Sequence, residues 1–434
     1  MISRTAAMAV VLSLTPHLAL AEMQCDFLSD DYFTRDGSAK NVVSCLERGY
    51  TFAIRDLREN GNGDTPLHLA ARHLEDPLLL DQIALLVFPN ELREELIITP
   101  NRSGKNPFHV AVEADRSPHI IANLARWGDP VNSVFNSDES AILRTRGMTA
   151  LHLAMQDWRS SPEQVDQVLT LLALGADPAI RDTEGRTPFA LVSDRDYAAS
   201  LLLNEAAWGE NVKEALASFD AKPVQMLQDC QSEVVENSSS ADAVQAWACL
   251  DGLLSARSDP ETFWNLLEGG DNFLHRLVKS SPDPRVLDAV LGAADEHNTL
   301  EAALSSENVD GNAAIHLASS FADNPMTIVQ LVRWGADVDR LARPERNGFL
   351  EAETGDSPLH LAAQRESTTE SSRAITALLA LGADASVYDN KVEGSLIEER
   401  VGLQPIDYMN QRKNLAAMSL IGPGFSFCEK VDEY

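Results

Sequence analysis

Nine residues from Gly63 to Ala71, GDTPLHLAA, return almost unchanged as GDSPLHLAA from Gly355 to Ala363. Weaker copies begin at Gly104 (GKNPFHVAV), Gly147 (GMTALHLAM), Gly185 (GRTPFALVS), Gly270 (GDNFLHRLV), Gly311 (GNAAIHLAS) and Gly402 (GLQPIDYMN). The spacings are 41, 43 and 38 residues within the first four copies and 41, 44 and 47 within the last four. This self-similarity constrains the fold more than any other feature. Each unit is too short to bury its own apolar face, so neighbours must stack and share one continuous core.

Every letter of the motif has a mechanical reading. The glycine suits the positive φ of a tight turn. Thr65, Thr149, Thr187 and Ser357 are helix N-caps, and Pro66, Pro188 and Pro358 follow where a missing N–H costs nothing. Leu67, Leu69 and Ala70 then form a helical apolar stripe. A second helix follows, as in VDQVLTLLALG (Val165–Gly175) and AITALLALG (Ala374–Gly382), and its closing glycine predicts a left-handed cap. An extended tip such as GADPAIRDTEG leads into the next copy.

Turn, helix, helix and extended tip resemble the ankyrin repeat, whose T-P-L-H-x-A motif several copies nearly complete across Ala39 to Met418. The resemblance implies an all-α ankyrin-repeat solenoid of helix-turn-helix units with extended loop tips. It also implies that the motif histidines, His68, His109, His152, His275, His316 and His360, are structural and bond between neighbouring turns. The spacing exceeds the usual repeat of about 33 residues, so the units carry insertions. The fourth and eighth copies lack the histidine and resemble worn terminal repeats that seal a stack.

Repetition also exists at a second level. LLALGAD at Leu171–Asp177 recurs at Leu378–Asp384, and Asn123–Asn132 aligns with Gln330–Asp339, both at an offset of 207. The chain is therefore a duplication of four-repeat halves. PNELREELIIT (Pro89–Thr99) and EHNTLEAALSS (Glu296–Ser306) occupy matching places and read as short extra helices. Residues 1–21, with Arg4, an apolar Ala6–Leu14 run, Pro16 and the small-x-small Ala19-Leu20-Ala21, read as a secretory signal peptide. The expected organisation is residues 22–207 as the first block, 208–228 as a helical junction and 229–434 as the second block.

Cys25 and Cys45 open the first half as Cys230 and Cys249 open the second, so we expect disulfides Cys25–Cys45 and Cys230–Cys249 in an oxidising compartment. Each such loop contributes on the order of 3 kcal/mol. Cys428 is left over, in surroundings that lack the positive charge of a reactive thiol. A net charge of −31 repels phosphate backbones and excludes nucleic acid as a partner. The same acidity serves solubility or attracts a basic protein or a cation. No later apolar run is long enough to insert in a membrane.

Catalytic signatures are missing. There is no H-E-x-x-H, G-x-S-x-G, G-x-x-x-x-G-K-[ST], G-x-G-x-x-G or complete EF-hand loop, and paired carboxylates are unremarkable among 66 acids. The expected function is that of a monomeric, non-enzymatic scaffold, without cofactor or metal, that binds another protein in a periplasm or the extracellular space. The alternatives are an exported enzyme or inhibitor with its active element in an inserted loop, and a cation-dependent surface protein. By resemblance, candidate contacts are the tip residues Asn60, Asn62, Asp64, Arg102, Lys105, Asp182, Glu184 and Arg186, with Arg72, Gln364 and Arg365 just past first helices. Trp127 and Trp334, each in an Arg-Trp-Gly at the end of a second helix, and Trp158 are candidate anchors, since aromatic residues and Arg dominate binding hot spots. Packing against the next repeat competes with that role.

Overall fold

A computed structural model describes residues 62–74, 80, 97–128, 130–135, 147–192, 196–203, 234–236, 243–265, 270–343, 355–389 and 402–421. The leader, the 208–228 junction, Cys25, Cys45, Cys230, Cys428 and most of the long inserted tips lie outside them. Among the described residues the structure is helical, with a single isolated bridge between Phe135 and Met148.

The helices sort into two compact units. Unit 1 spans Met1–Arg159 and Ala176–Leu191. Its motif helices are α1 (Pro66–His73), α2 (Pro107–Glu113) and α4 (Ala150–Gln156), and α3 (Pro118–Ala125) is the second helix returning from α2. Helix α2 packs on α1, α3 and α4. At the worn fourth motif a short 3-10 turn, Phe189–Leu191, packs against α4.

Unit 2 spans Ser160–Gly175 and Val192–Tyr434. Its elements are α5 (Pro162–Ala173), α6 (Tyr197–Leu203), α7 (Ala243–Ser255), α8 (Phe273–Lys279), α9 (Pro284–Glu296), α10 (Leu300–Ser305), α11 (Ala314–Phe321), α12 (Met326–Arg333), α13 (Pro358–Gln364), α14 (Thr369–Ala380), α15 (Pro405–Gln411) and α16 (Leu415–Ile421). Motif helices stack in the order α8, α11, α13, α15, and second helices in the order α7, α9, α12, α14, α16. The shared core runs from Val234 to Met418. Full burial of a leucine such as Leu274 or Leu359 contributes roughly 2 kcal/mol, and the alanines between them let the helices approach. The expected extra helix of the second half is α10. The division into units departs from the duplication, because α5 and α6 come from the first half yet pack on α14 and α12 of the second.

Local chemistry explains the helix ends. Ser161 and Asp283 cap α5 and α9 through their side chains, and Thr368 caps α14. Gly175 and Gly382 close α5 and α14 at φ +87° and +89°. The motif glycine has two origins. Gly311 takes φ +76°, as the turn expectation requires, whereas Gly355 and Gly402 are held to glycine by space. A Cβ there would fall 1.9 Å from the Ala342 carbonyl oxygen and 1.3 Å from that of Asp389.

Candidate functional site

The tips are built from the motif histidines outward. Each ring is turned back on its own N-cap, so that Nδ1 accepts the cap residue's backbone N–H. The proton then sits on Nε2, which donates to a carbonyl of the following tip. The acceptors are Lys105 for His68 (2.9 Å), Ser133 for His109 (2.9 Å) and Arg186 for His152 (3.0 Å). In unit 2 they are Ser306 for His275 (3.2 Å), Arg340 for His316 (2.8 Å) and Leu403 for His360 (3.0 Å). In the eighth copy the Asp407 carboxylate takes the histidine's capping place and accepts Gln404 N–H at 2.9 Å.

Backbone bonds then join tip to tip. Arg102 N–H donates to Asn62 (2.9 Å), Val309 N–H to Gly270 (3.1 Å) and Arg343 N–H to Gly311 (3.0 Å). The tips are thus a preorganised ladder, and a partner that binds them has little ordering cost to meet.

Several candidate contacts turn out to maintain this ladder. Asp64 is fully buried and accepts from Asn101 (2.7 Å) and Arg72 (3.0 Å). Burial works against its charge, but Asn101 and Arg72 more than offset that and hold the carboxyl below its usual range. Asp182 is equally committed. It accepts Arg186 Nε–H (2.9 Å) and Nη2–H (2.7 Å) with one oxygen, and the Glu184 and Arg186 backbone N–H groups with the other. Arg365 spans two repeats, donating to the Ala322 carbonyl at 3.1 Å. The Gln364 amide nitrogen and the Trp158 indole nitrogen are buried.

Trp334 is half-buried and donates Nε1–H to Asp288 at 2.7 Å, which joins α12 to α9. Trp127 is also half-buried. The packing role outweighs the anchor role at Trp334, since its one polar group is committed inside the stack. Asn60 lies outside the described residues.

What remains presented on the tips is Asn62, Arg102 and Glu184, with Lys105 and Arg186 half-exposed. Lys105 pairs with Glu113 and lies 5.5 Å over the Phe135 ring. Exposed apolar side chains accompany them. Val134 is 47% exposed on a tip of unit 1, and Val309 and Tyr388 are 59% and 51% exposed on tips of unit 2. Phe321, at the end of α11, is 54% exposed. These four were missed in the sequence, although each is an apolar residue at a tip or helix end where the surrounding pattern is polar.

The family model for the ankyrin repeat matches residues 146–183. No curated protein matches the chain in sequence. Among solved structures, the chain is similar to the ankyrin repeat domain of Bcl-3, a unique member of the IkappaB protein family. That likeness covers 69% of this chain and 93% of the other, with 19% identity and a TM-score of 0.23. The family match shows an ankyrin repeat at residues 146–183, and the capped motif helix, returning helix and hydrogen-bonded tip of that repeat recur through both units.

Proposed function

We propose that the chain is an exported, non-enzymatic scaffold that binds another protein along its stacked tips. Ankyrin stacks present such surfaces to protein partners, and the fold alone does not name the partner. The observation that carries the reading is the pair of exposed apolar residues Val309 and Tyr388 on hydrogen-bonded tips of unit 2. Apolar surface on a rigid, polar-rimmed element is where binding energy concentrates. Around it, the net charge of −31 favours a partner with basic surface.

The exported compartment, a periplasm by preference, is supported by the leader-like residues 1–21 and by the paired cysteines. Cys249 is buried at 1% and disulfide-bonded. Its proposed partner is Cys230. Intact mass before and after alkylation of the unreduced chain tests the pairing, and four reactive thiols at Cys25, Cys45, Cys230 and Cys249 would sink it. Mass spectrometry of the exported chain tests the leader, with a new N-terminus at Glu22 expected.

The binding experiment uses the oxidised mature chain on beads against the exported fraction of the source cells. A Val309→Ser/Tyr388→Ser double variant of unchanged melting temperature serves as the comparison. A protein retained by the parent through high salt and lost from the variant supports the reading. Equal retention by both would move binding off these tips, and no retention by either would remove the scaffold reading.

A further inference from the structure

Unit 2 contains a cavity of about 370 Å³ where α5 and α6 meet the N-terminal ends of α9 and α12 and the side of α14. That volume lies in the range of about 300–1,000 Å³ typical of small-ligand sites. Val165, Ala198, Pro284, Pro325 and Met326 make most of the wall apolar.

Its polar groups differ sharply between acceptors and donors. The acceptors are committed. Asp166 takes Arg373 Nε–H at 2.6 Å through Oδ2, and its Oδ1 is closed off inside the wall. Asp323, at the rim, pairs with Arg365 across 3.6 Å. Ser281 Oγ accepts Asp323 N–H (2.9 Å), and Asn324 Oδ1 accepts Met326 N–H (3.0 Å) at the start of α12.

The donors are open. Arg373 commits only Nε to Asp166, and its side chain is 22% exposed. Among the described residues no acceptor meets its Nη groups, nor the Nδ2 of the half-buried Asn324. Each acid stands beside its own guanidinium, so the local charge is balanced. A cation finds no open acceptor there, and a carboxylate would set a second acid on Arg373 beside Asp166. A neutral molecule with an acceptor oxygen meets neither obstacle. A carbonyl oxygen offers two lone pairs and no proton, and a guanidinium is a strong donor to it.

We propose that this cavity binds a small neutral carbonyl compound. The carbonyl oxygen accepts from Arg373 Nη–H, and the apolar body lies against Val165, Pro325 and Met326. This inference is independent of the tip-binding reading, since it concerns a different surface and a ligand of a different class.

Calorimetric titration of the full oxidised chain with acetophenone at pH 7.5 tests it, with benzoate and benzylammonium as charged probes of similar size and toluene as a probe of the apolar wall alone. The expected result is one saturable site for acetophenone, tighter than for either charged probe. Arg373→Lys keeps a cation for Asp166 and removes the open Nη groups. It should weaken acetophenone by about tenfold, the size of one hydrogen bond, and leave toluene unchanged. Ala198→Leu enlarges a wall residue and leaves Arg373 in place, so it should abolish binding of both and locates the site if Arg373→Lys fails to fold. Tighter binding of benzoate or benzylammonium, equal losses of acetophenone and toluene in folded Arg373→Lys, undiminished binding in folded Ala198→Leu, or no saturable acetophenone site would each overturn the proposal.

Discussion

Arg373 donates through Nε to Asp166 across 2.6 Å, and the two residues stand 207 positions apart. That separation equals the offset of the duplication. Asp166 and Arg373 are therefore the same position of two related helices, α5 and α14, that lie against each other. Contact between equivalent positions is what a two-fold relation places near its axis. With identical residues there, acid would face acid or base would face base. Divergence to opposite signs turns that repulsion into a pair and favours α5 on α14 over either helix on its own copy.

Reversing one charge of this pair should therefore be far worse than reversing both. Asp166→Arg sets two guanidinium groups together in a site where the native acid is 8% exposed, and Arg373→Asp sets two carboxylates together. Each is expected to cost about 3–5 kcal/mol, the range for breaking a buried pair. The double exchange should recover most of the loss. Urea midpoints of the four proteins measure the coupling, which for a direct contact exceeds about 1 kcal/mol. A double exchange no more stable than the singles would mean the two side chains do not interact.

The capping residues were legible in the sequence because their bonds close within three residues, and the motif histidines were legible through the ankyrin resemblance. Thr65 and His68, or Ser357 and His360, encode the same local geometry wherever they occur. The candidate contacts on the tips were less legible. An acid in a tip reads as exposed, yet Asp64 and Asp182 are buried, because the donors that satisfy them come from the tip's own backbone, from neighbouring arginines and from Asn101 of the next tip. Trp334 reads as an anchor until its acceptor, Asp288, is known, and that residue lies 46 positions away in another repeat. Likewise, the offset of 207 reveals that α5 and α14 are related but not that they touch. Spacing records contacts that are local or periodic, and it is silent on which outer faces meet.

Two glycines in positive φ should respond differently to alanine. Gly175 closes α5 at φ +87° with no atom within 4 Å of an added Cβ, so Gly175→Ala incurs backbone strain alone, about 1 kcal/mol. At Gly311, with φ +76°, the Cβ would fall 1.8 Å from the Arg343 carbonyl oxygen. The tip that accepts from Arg343 N–H would have to open. Gly311→Ala is expected to cost roughly 3 kcal/mol or more, the strain plus a lost tip contact. Thermal melts of the two variants decide this, and equal losses would show that the tip yields freely.

Asp288 gives a pH-dependent prediction of known sign. Burial pushes its carboxyl up to about 7, against the pull of the hydrogen bonds from Trp334 and Gln330. Its pKa is thus higher folded than unfolded, so ionised Asp288 opposes folding. The penalty is absent below about 4, grows with pH, and is complete above about 7. Asp288→Asn retains an oxygen for Trp334 Nε1–H and removes the charge. The variant should be more stable than the parent at pH 8 by roughly 2 kcal/mol, with the advantage shrinking toward pH 4. Denaturant midpoints at the two pH values check it, and an advantage that grew on acidification would contradict the assignment.

The histidine ladder titrates in the opposite sense. Burial, the largest influence, depresses His109, His275 and His316 to about 4, while their carbonyl partners pull the other way. Protonating Nδ1 would also replace the acceptor that caps the helix with a donor facing another donor. The folded state therefore takes up these protons only near pH 4, while the unfolded chain takes them up near 6.5. Their contribution is fully present above about 6.5 and is lost as pH falls toward 4. His316→Gln tests one rung. At pH 7.5 it gives up the bonds to Ala313 N–H and the Arg340 carbonyl and should lose about 2 kcal/mol. At pH 4.5 the parent has lost most of what that histidine contributes, so the two melting temperatures should converge. A gap of constant size at both pH values would show that His316 is not held neutral in the folded stack.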